Sequence, residues 1–384
     1  MLLIVLGAAL VAVPALDPGV PPAFQIASRP PAKVTLSSGG VEVPLEAGRL
    51  PVVAVTIDGQ GPFRFGIETG SPCAVISPAL AERLGLPDAG GDEQMRARRI
   101  ARLEVGGASF QGVLAPAFGV TAPDVDGVLG LSVFSDVLLT VDGVARKVRV
   151  ERGALPAPDG KAVLPILRQG PFVGVSVRFG RHHAIAVVDT RASSDLLVLP
   201  GMVKDLELAS APVEIGRARG PAIPETVVKA ARLDGDVTFG EVVVERPIVN
   251  VHDVPPPIPQ RPLIGNGVLS RLAFTLDQRN ERIRFRAPGP IPAPPPLRTL
   301  GFGLRPPARA GELPLVGAMV PGSPADRAGV QVGDLVVALG GIPGPAIDPA
   351  RLRELTREGK PVEVRLSRQG TEIAVAVEPV TLVP

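Results

Sequence analysis

The chain has 384 residues, of which 45% are apolar, and a formal net charge of +2. A chain of this length exceeds one ordinary hydrophobic core, so we expect two or three domains. Its 44 Gly and 45 Pro residues separate short Val-rich runs, a pattern that favours many short strands over long helices. Two features argue against a nucleic-acid partner. The net charge is near zero, and no aromatic residue interleaves with the basic cluster at Arg96, Arg98 and Arg99.

Cysteine and histidine are scarce in the sequence. Cys73 is the single cysteine, which excludes an internal disulfide framework, and its place in an apolar run predicts a buried side chain. The three histidines are His182, His183 and His252, and their spacing resembles no zinc site. We therefore predict neither a metal nor a cofactor.

The N-terminal 15 residues form an apolar run with small residues at Val13 and Ala15, where the cleavage of a signal peptide needs them. We predict a signal peptide at residues 1–15 and export to the bacterial periplasm or the exterior. No Lys or Arg precedes the run, so the alternatives are a tether that keeps the protein near the membrane and a misplaced start site. The Pro-rich residues 16–33 are predicted to be loose.

Short apolar runs and turn signals continue from Val34 to about Val150. The pair Asp58-Gly59 between two such runs predicts a β-hairpin. A short helix is predicted from Ser77 to Leu84, with Ser77 as its N-cap, a proline in its first turn and Gly85 as its stop.

Two acidic turns repeat 121 residues apart, at Glu68 and at Asp189. Each follows an apolar strand, is continued by a threonine, and precedes a second apolar block that ends in glycine. The repeated blocks are residues 65–71 and 186–192 for the acidic turns, and 127–130 and 263–265 for the apolar blocks. Blocks that recur in the same order predict an internal duplication of about 120 residues.

Both halves resemble the lobe of a retropepsin-type aspartic peptidase, which carries an apolar-apolar-Asp-Thr-Gly-Ala/Ser signature and then an apolar-apolar-Gly block. The resemblance spans roughly residues 40–287 and places one lobe at 34–155 and a second at 156–287. It implies a mainly β fold, in which two retropepsin-like β-barrel lobes form a pepsin-like bilobal pseudo-dimer with a cleft between them.

The resemblance also implies the roles of the site residues. Glu68 and Asp189 would be the catalytic pair, sharing one proton while a water attacks an extended polypeptide. Thr69 and Thr190 would cross to the opposite turn and fix it. The remaining supporting residues that the resemblance implies are Gly70 and Ser71 on the first turn, Arg191 on the second, and Gly130 and Gly265 behind the turns.

Two residues depart from the family signature. Glu68 has one methylene more than Asp, which moves its carboxyl outward by about 1.5 Å. Arg191 replaces a glycine and puts a cation beside the pair, and a neighbouring Arg lowers the pKa of a carboxyl by about 1–3 units. Three interpretations stay open: a working endopeptidase, an impaired pseudo-peptidase that binds peptides or acts as a scaffold, and two β domains whose acids only cap turns.

Residues 288–297 are dominated by proline and predict a semi-rigid linker. The module that follows, at 298–384, is predicted to be a small α+β domain. Its strands are expected near 315–320, 334–339, 362–367 and 372–377, and its helix from Asp348 to Glu358.

This module resembles a bacterial PDZ domain, through its Leu-Gly-Phe-Gly loop at 300–303 and the Ser-Pro-Ala to Gly-Asp run at 323–334. The resemblance implies a groove that adds a peptide strand and holds the carboxylate at its end. The implied lining residues are Gly301, Phe302, Gly303 and Leu304 in the loop, and Leu352 and Leu355 on the helix. The expected partner is therefore a polypeptide substrate or a peptide ligand.

Overall fold

The computed structural model describes residues 22–46, 50–92, 95–119, 125–220, 223–254, 259–305, 311–320, 322–347 and 349–384. The predicted signal peptide at 1–15 lies outside these residues. Within them, no helix is both long and apolar enough to cross a membrane. The protein is mostly β, as the sequence predicts.

Lobe 1, residues 34–155 with the segment before it, consists in its described part of short strands and three short helices. Its elements in chain order are α1 (Pro22–Ala27), β1 (Lys33–Thr35), β2 (Val41–Pro44), β3 (Val52–Ile57), β4 (Gln60–Ile67), β5 (Val75–Ile76), α2 (Pro78–Arg83), β6 (Asp88–Gly91), β7 (Arg96–Val105), β8 (Ala108–Pro116), β9 (Gly127–Leu129), a 3-10 helix (Leu131–Phe134), β10 (Leu138–Asp142) and β11 (Lys147–Glu151).

The local signals of lobe 1 produce the predicted hairpin and helix. Asp58 and Gly59 both have positive φ, at 49° and 79°, which lets a tight turn join β3 to β4. Helix α2 begins after Ser77, whose hydroxyl accepts a hydrogen bond of 3.2 Å from Leu80 N.

One prediction is wrong in this region. Residues 16–33 were expected to be loose; residues 16–21 lie outside the described residues, but residues 22–27 form α1. Its alanines Ala23 and Ala27 are buried, and Ser132 Oγ donates to Ala27 O at 3.2 Å. The proline content predicted a loose segment and so did not indicate this helix. Two small apolar residues four positions apart lie on one face of a helix, and this face packs against lobe 1.

Lobe 2, residues 156–287, repeats this plan. Its elements are β12 (Val163–Pro165), β13 (Gly174–Phe179), β14 (His182–Asp189), β15 (Leu196–Val198), a 3-10 helix (Pro200–Asp205), β16 (Val213–Gly220), β17 (Ile223–Arg232), β18 (Val237–Phe239), β19 (Val242–Val244), β20 (Ile248–Val251), β21 (Leu263–Gly265), α3 (Asn266–Leu269), β22 (Ala273–Asp277) and β23 (Arg282–Arg286).

The strand that leads to each acid has the same surroundings in both lobes. In lobe 1, β4 lies parallel to β9, and Ile67 is opposite Leu129. In lobe 2, β14 lies parallel to β21, and Asp189 is opposite Gly265. A third strand, β5 or β15, pairs antiparallel with the far side of β9 or β21. The two acidic turns therefore emerge at corresponding places.

A sheet formed by strands of both lobes joins them. Its order is β12-β23-β22-β10-β11-β2, and its central pair is antiparallel, with Thr140 opposite Thr275. The two hydroxyls are 2.9 Å apart. Buried side chains from both lobes belong to one continuous hydrophobic cluster, so the seam between the lobes is part of the core.

The C-terminal module has its own core. Its elements are β24 (Leu297–Thr299), β25 (Phe302–Arg305), β26 (Leu315–Met319), α4 (Pro324–Arg327), β27 (Leu335–Leu339), β28 (Ile342–Pro343), a 3-10 helix (Gly344–Ala346), α5 (Pro349–Arg357), β29 (Val362–Arg368), β30 (Thr371–Val377) and β31 (Val380–Val383). The four predicted strands correspond to β26, β27, β29 and β30, and the remaining strands of the module were not predicted. Asp348, the predicted helix cap, lies outside the described residues.

The linker at 288–297 was expected to be a spacer, but it lies against lobe 2. Ile291 is buried, its N–H donates to Val243 O at 2.8 Å, and its carbonyl accepts from Glu245 N at 2.9 Å. Ile291 thus holds the linker against lobe 2, because burying its side chain removes apolar surface from water.

A buried arginine at the end of β17 holds the linker and the C-terminal module together. Arg232 donates to Pro294 O at 2.7 Å, to Arg246 O at 2.8 Å, and to Pro384 O. Strand β31, which ends beside Pro384, pairs with β24. The PDZ-like module is therefore attached to lobe 2 through specific hydrogen bonds.

Candidate functional site

The two predicted acids lie at the ends of buried strands and face the seam between the lobes. Asp189 is the last residue of β14, and Glu68 follows the last residue of β4. Glu68 N donates to Leu129 O at 2.9 Å, so the neighbouring parallel strand fixes the start of the turn. Glu68 is 7% exposed and Asp189 is 2% exposed, although both are acidic.

Thr69 and Thr190 join the two turns by four reciprocal hydrogen bonds. Thr69 Oγ1 donates to Val188 O at 2.7 Å and accepts from Thr190 N at 3.1 Å. Thr190 Oγ1 donates to Ile67 O at 2.7 Å and accepts from Thr69 N at 3.1 Å. Because both hydroxyls are buried, losing either one would leave backbone groups without partners. The threonines thus hold the acidic turns together.

Gly70 lets the opposite carboxyl approach the first turn. A Cβ atom at this position would lie 2.3 Å from Asp189 Oδ1, so no larger residue fits without movement. Ser71, by contrast, donates to Cys73 O at 2.8 Å and so supports its own turn.

Gly130 and Gly265 lie behind the turns, where the chain passes close to another backbone segment. A Cβ at Gly130 would be 2.1 Å from Cys73 O, and one at Gly265 would be 2.1 Å from Ser194 O. The two glycines therefore play the same steric role in the two lobes.

Arg191 crosses the seam from lobe 2 to lobe 1. Its Nε lies 3.1 Å from Glu68 Oε1, and its side chain is 39% exposed against 8% for that of Glu68. Its own backbone N–H donates to Asp189 Oδ1 at 2.8 Å. One residue therefore contacts both carboxyls, the first through its guanidinium and the second through its main chain.

The site favours protonation of its acids. Burial raises the pKa of Glu68 to about 7; the positive charge of Arg191 opposes this rise and the charge of Asp189 adds to it. Burial also raises the pKa of Asp189, against the charge of Arg191 and the backbone N–H groups of residues 191 and 192. A proton is therefore retained near the pair at pH values where an exposed carboxyl would be ionised.

The predicted PDZ residues lie around one edge of the C-terminal module. Gly301 has φ of +96°, and a Cβ there would be 2.2 Å from Ser323 Cβ, so the loop requires glycine. Phe302 and Gly303 begin β25, an edge strand of its sheet. An edge strand offers unpaired N–H and C=O groups to an added peptide.

The side chains of this loop differ in exposure. Phe302 is buried in the core of the module, whereas Leu304 is half-buried and packs against that core. Leu352 and Leu355 on α5 are also half-buried and pack against the same cluster. The apolar wall available to a ligand thus comes from the leucines, while Phe302 contributes its backbone.

Sequence reasoning did not identify Arg232 as a residue that joins domains. Its neighbours Ala230, Ala231 and Leu233 are all buried, and nothing in this apolar run indicates where the guanidinium would find its acceptors. Its role depends on acceptors 62 and 152 residues away in the chain. Among the described residues, no group of three or more His, Cys, Asp or Glu side chains could hold a metal ion.

Two parts of the chain match known protein families. Residues 53–133 match the aspartyl protease family, and residues 315–368 match the PDZ domain family. The first match contains Glu68, Thr69, Gly70 and Gly130, the turn and the glycine of lobe 1. No curated protein matches the chain.

Solved structures that the chain resembles include two with PDZ domains. One is the HtrA3 PDZ domain bound to a phage-derived ligand (FGRWV), 23% identical over 22% of this chain and 86% of that chain, with a TM-score of 0.20. The other is a PDZ domain protein from Parabacteroides distasonis ATCC 8503, 19% identical over 22% of this chain and 20% of that chain, with a TM-score of 0.20. By the family models, residues 53–133 are similar to an aspartyl protease domain and residues 315–368 to a PDZ domain, within a mainly β architecture.

Proposed function

We propose that this protein binds extended polypeptides at the seam between its lobes and at its PDZ domain, and that its carboxyl pair does not hydrolyse them efficiently. One observation carries the proposal: Arg191 Nε lies 3.1 Å from Glu68 Oε1. In an aspartic peptidase the two carboxyls share a proton and position a water between them. Here one carboxyl instead has a permanent cation as its partner.

The lengthened side chain adds to this effect. Glu68 differs from the family's aspartate by one methylene, whereas catalytic geometry tolerates a displacement of only about 0.5 Å. The same methylene brings the carboxyl within reach of Arg191. Glu68 and Arg191, the two departures from the family signature, thus stabilise each other. They support a site that keeps the architecture of an aspartic peptidase without efficient hydrolysis.

The PDZ domain supports the binding half of the proposal. PDZ domains add a peptide as a further strand and hold its terminal carboxylate by backbone N–H groups. In this chain, β25 is an edge strand that begins directly after the glycine loop. The loop would hold the carboxylate, and Leu304, Leu352 and Leu355 would contact the last apolar side chain.

A direct test uses a fluorescent peptide that ends in an apolar residue with a free carboxylate. Anisotropy should show binding to the full chain, and the same peptide with an amidated end should bind at least about tenfold more weakly, because it lacks the charge. Leu352→Glu should weaken binding, and Arg181→Ala, at a 91% exposed side chain, should not. Equal binding of the free and amidated peptides would refute the PDZ part.

Hydrolysis is the second candidate function. It is favoured by the raised pKa of Glu68, about 7, because a protonated carboxyl beside an ionised one is the state that activates water. Digestion of an unfolded protein at acid pH, lost in Asp189→Asn, would establish it.

Export remains part of the proposal and rests on residues 1–15 alone. Expression of the whole chain in a bacterium, followed by mass spectrometry of the periplasmic fraction, should find a protein whose first residue lies after Ala15. Recovery of the intact chain in the cytoplasm alone would contradict export.

A further inference from the structure

A cavity of about 690 Å³ opens at the seam between the lobes, and its lining includes no residue of the acidic turns. Lobe 1 contributes residues 30–34, Ser135 and Arg152, and lobe 2 contributes Arg168 and Arg279. A smaller cavity of about 180 Å³ adjoins it and shares Arg152 and Arg279. Pockets that hold small ligands have volumes of about 300–1,000 Å³, so the larger cavity is of sufficient size.

The cavity is strongly cationic. Among its described lining residues, four cations, at Lys33, Arg152, Arg168 and Arg279, face a single carboxylate, Asp136. Asp277, which lines the smaller cavity, adds a second carboxylate, whose oxygens accept hydrogen bonds from Leu155 N and from the Asn280 side chain. Cations still outnumber carboxylates in the lining of the two cavities, four to two. The local charge therefore favours an anion.

Carbonyl oxygens hold two of the three arginines, and two of the three have no acidic partner among the described residues. Arg152 donates to Val34 O at 2.8 Å, and Arg168 donates to Gln278 O at 3.1 Å. Only Arg168 has an acidic neighbour within the described part of the chain, Glu281 at 3.6 Å. Arg279 is exposed and has no acidic partner among the described residues. Guanidinium groups fixed by carbonyls keep N–H donors free for a phosphate or a carboxylate.

Part of the cavity lining is apolar. Pro30, Pro31 and Ala32 line it together with the arginines. Because burying an apolar group against these residues would remove apolar surface from water, the cavity suits a ligand with an apolar body as well as an anionic group.

We propose that this cavity binds a small organic anion, a molecule with an apolar body and one phosphate or carboxylate group. Arg152, Arg168 and Arg279 hold the anionic group. The apolar body packs against residues 30–32. The site is separate from the carboxyl pair and from the PDZ groove, so it does not depend on the peptide-binding function.

The test is calorimetric titration of the full chain at low ionic strength with phenyl phosphate, benzoate and phenol, three probes that share an aromatic body. One or both anions should bind, and phenol should not. Binding of phenyl phosphate alone assigns the site to phosphate, and binding of benzoate alone assigns it to carboxylate. Absence of binding by both anions at millimolar concentration, or equal binding of phenol, would overturn the proposal.

Variants locate the binding. Arg279→Ala should lower the affinity for the anion by about tenfold, since one charge-assisted hydrogen bond is lost, and Arg279→Glu should lower the affinity further. Arg279 is exposed, so thermal unfolding should be unchanged and the loss will not reflect misfolding. Arg181→Ala, which removes a cation far more exposed than these, is the control and should bind as the wild type does. Wild-type affinity in Arg279→Glu would refute the site.

Discussion

Arg191 Nε lies 3.1 Å from Glu68 Oε1, so the acid of lobe 1 is paired with a cation supplied by lobe 2. The pair spans the seam at which two threonines already join the acidic turns. A charge contact in this place ties the protonation of the site to the association of the lobes. Each of the following predictions tests one part of that arrangement.

Arg191→Gly should raise the pKa of Glu68 above its value of about 7, because the arginine is the cation that lowers it. Carbon NMR of labelled glutamate carboxyls, followed over pH, measures this value directly. Arg181→Ala is the matched control and should leave the titration unchanged. A pKa of Glu68 that does not move in Arg191→Gly would show that the contact is electrostatically unimportant.

Stability should fall as pH rises from about 4.5 to about 7. A glutamate carboxyl ordinarily has a pKa of 4.5, and that of Glu68 is about 7 in the folded chain. Between these two pH values the folded state therefore binds more protons than the unfolded state. At 1.36 kcal/mol per pKa unit, the loss is on the order of 3 kcal/mol. Urea unfolding at several pH values measures it.

Glu68→Gln is the matched variant for this pH dependence, because glutamine resembles the protonated acid and cannot ionise. Asp189, whose pKa burial also raises, is retained in both proteins. The variant should therefore show a shallower decline of its unfolding free energy between pH 4.5 and 7. Parallel curves for the two proteins would place the titration elsewhere.

Gly70→Ala should destabilise the chain by about 1–3 kcal/mol, because its Cβ would lie 2.3 Å from Asp189 Oδ1. Gly201→Ala is the control, since a Cβ there meets nothing within 4 Å. Thermal and urea unfolding compare the two variants. If both alanines had the same small effect, the close approach of Asp189 to the first turn would be wrong.

Arg232→Ala should free the PDZ domain from lobe 2, since it leaves Pro294 O and Arg246 O without their donor. Small-angle X-ray scattering should then give a larger radius of gyration than for the wild type. Arg365→Ala, which removes a half-exposed cation on the PDZ domain, should not change it. An unchanged radius in Arg232→Ala would mean that other contacts suffice to hold the domain.

The sequence predicted those features that depend on local or repeated patterns. The hairpin at Asp58 and the cap at Ser77 follow from residues within a few positions of each other. The repeated blocks around Glu68 and Asp189 predicted two similar halves, and in the structure the strand that leads to each acid has an equivalent parallel neighbour.

Other features depend on residues far apart in the chain and have no local signal. The docking of the linker is set by Ile291 and by the three carbonyls around Arg232. The arginine cavity likewise draws residues from five separate segments. Composition suggested a loose segment at 16–33 and a spacer at 288–297, and tertiary packing orders residues 22–27 of the first and Ile291 of the second.

The most direct measurement of the central claim is the digestion of an unfolded protein at acid pH by the wild type, Asp189→Asn, and the double variant Glu68→Asp with Arg191→Gly. If the Arg191–Glu68 pair blocks hydrolysis, the first two should be equally inactive and the double variant should cleave. Cleavage by the wild type that is lost in Asp189→Asn would contradict the account.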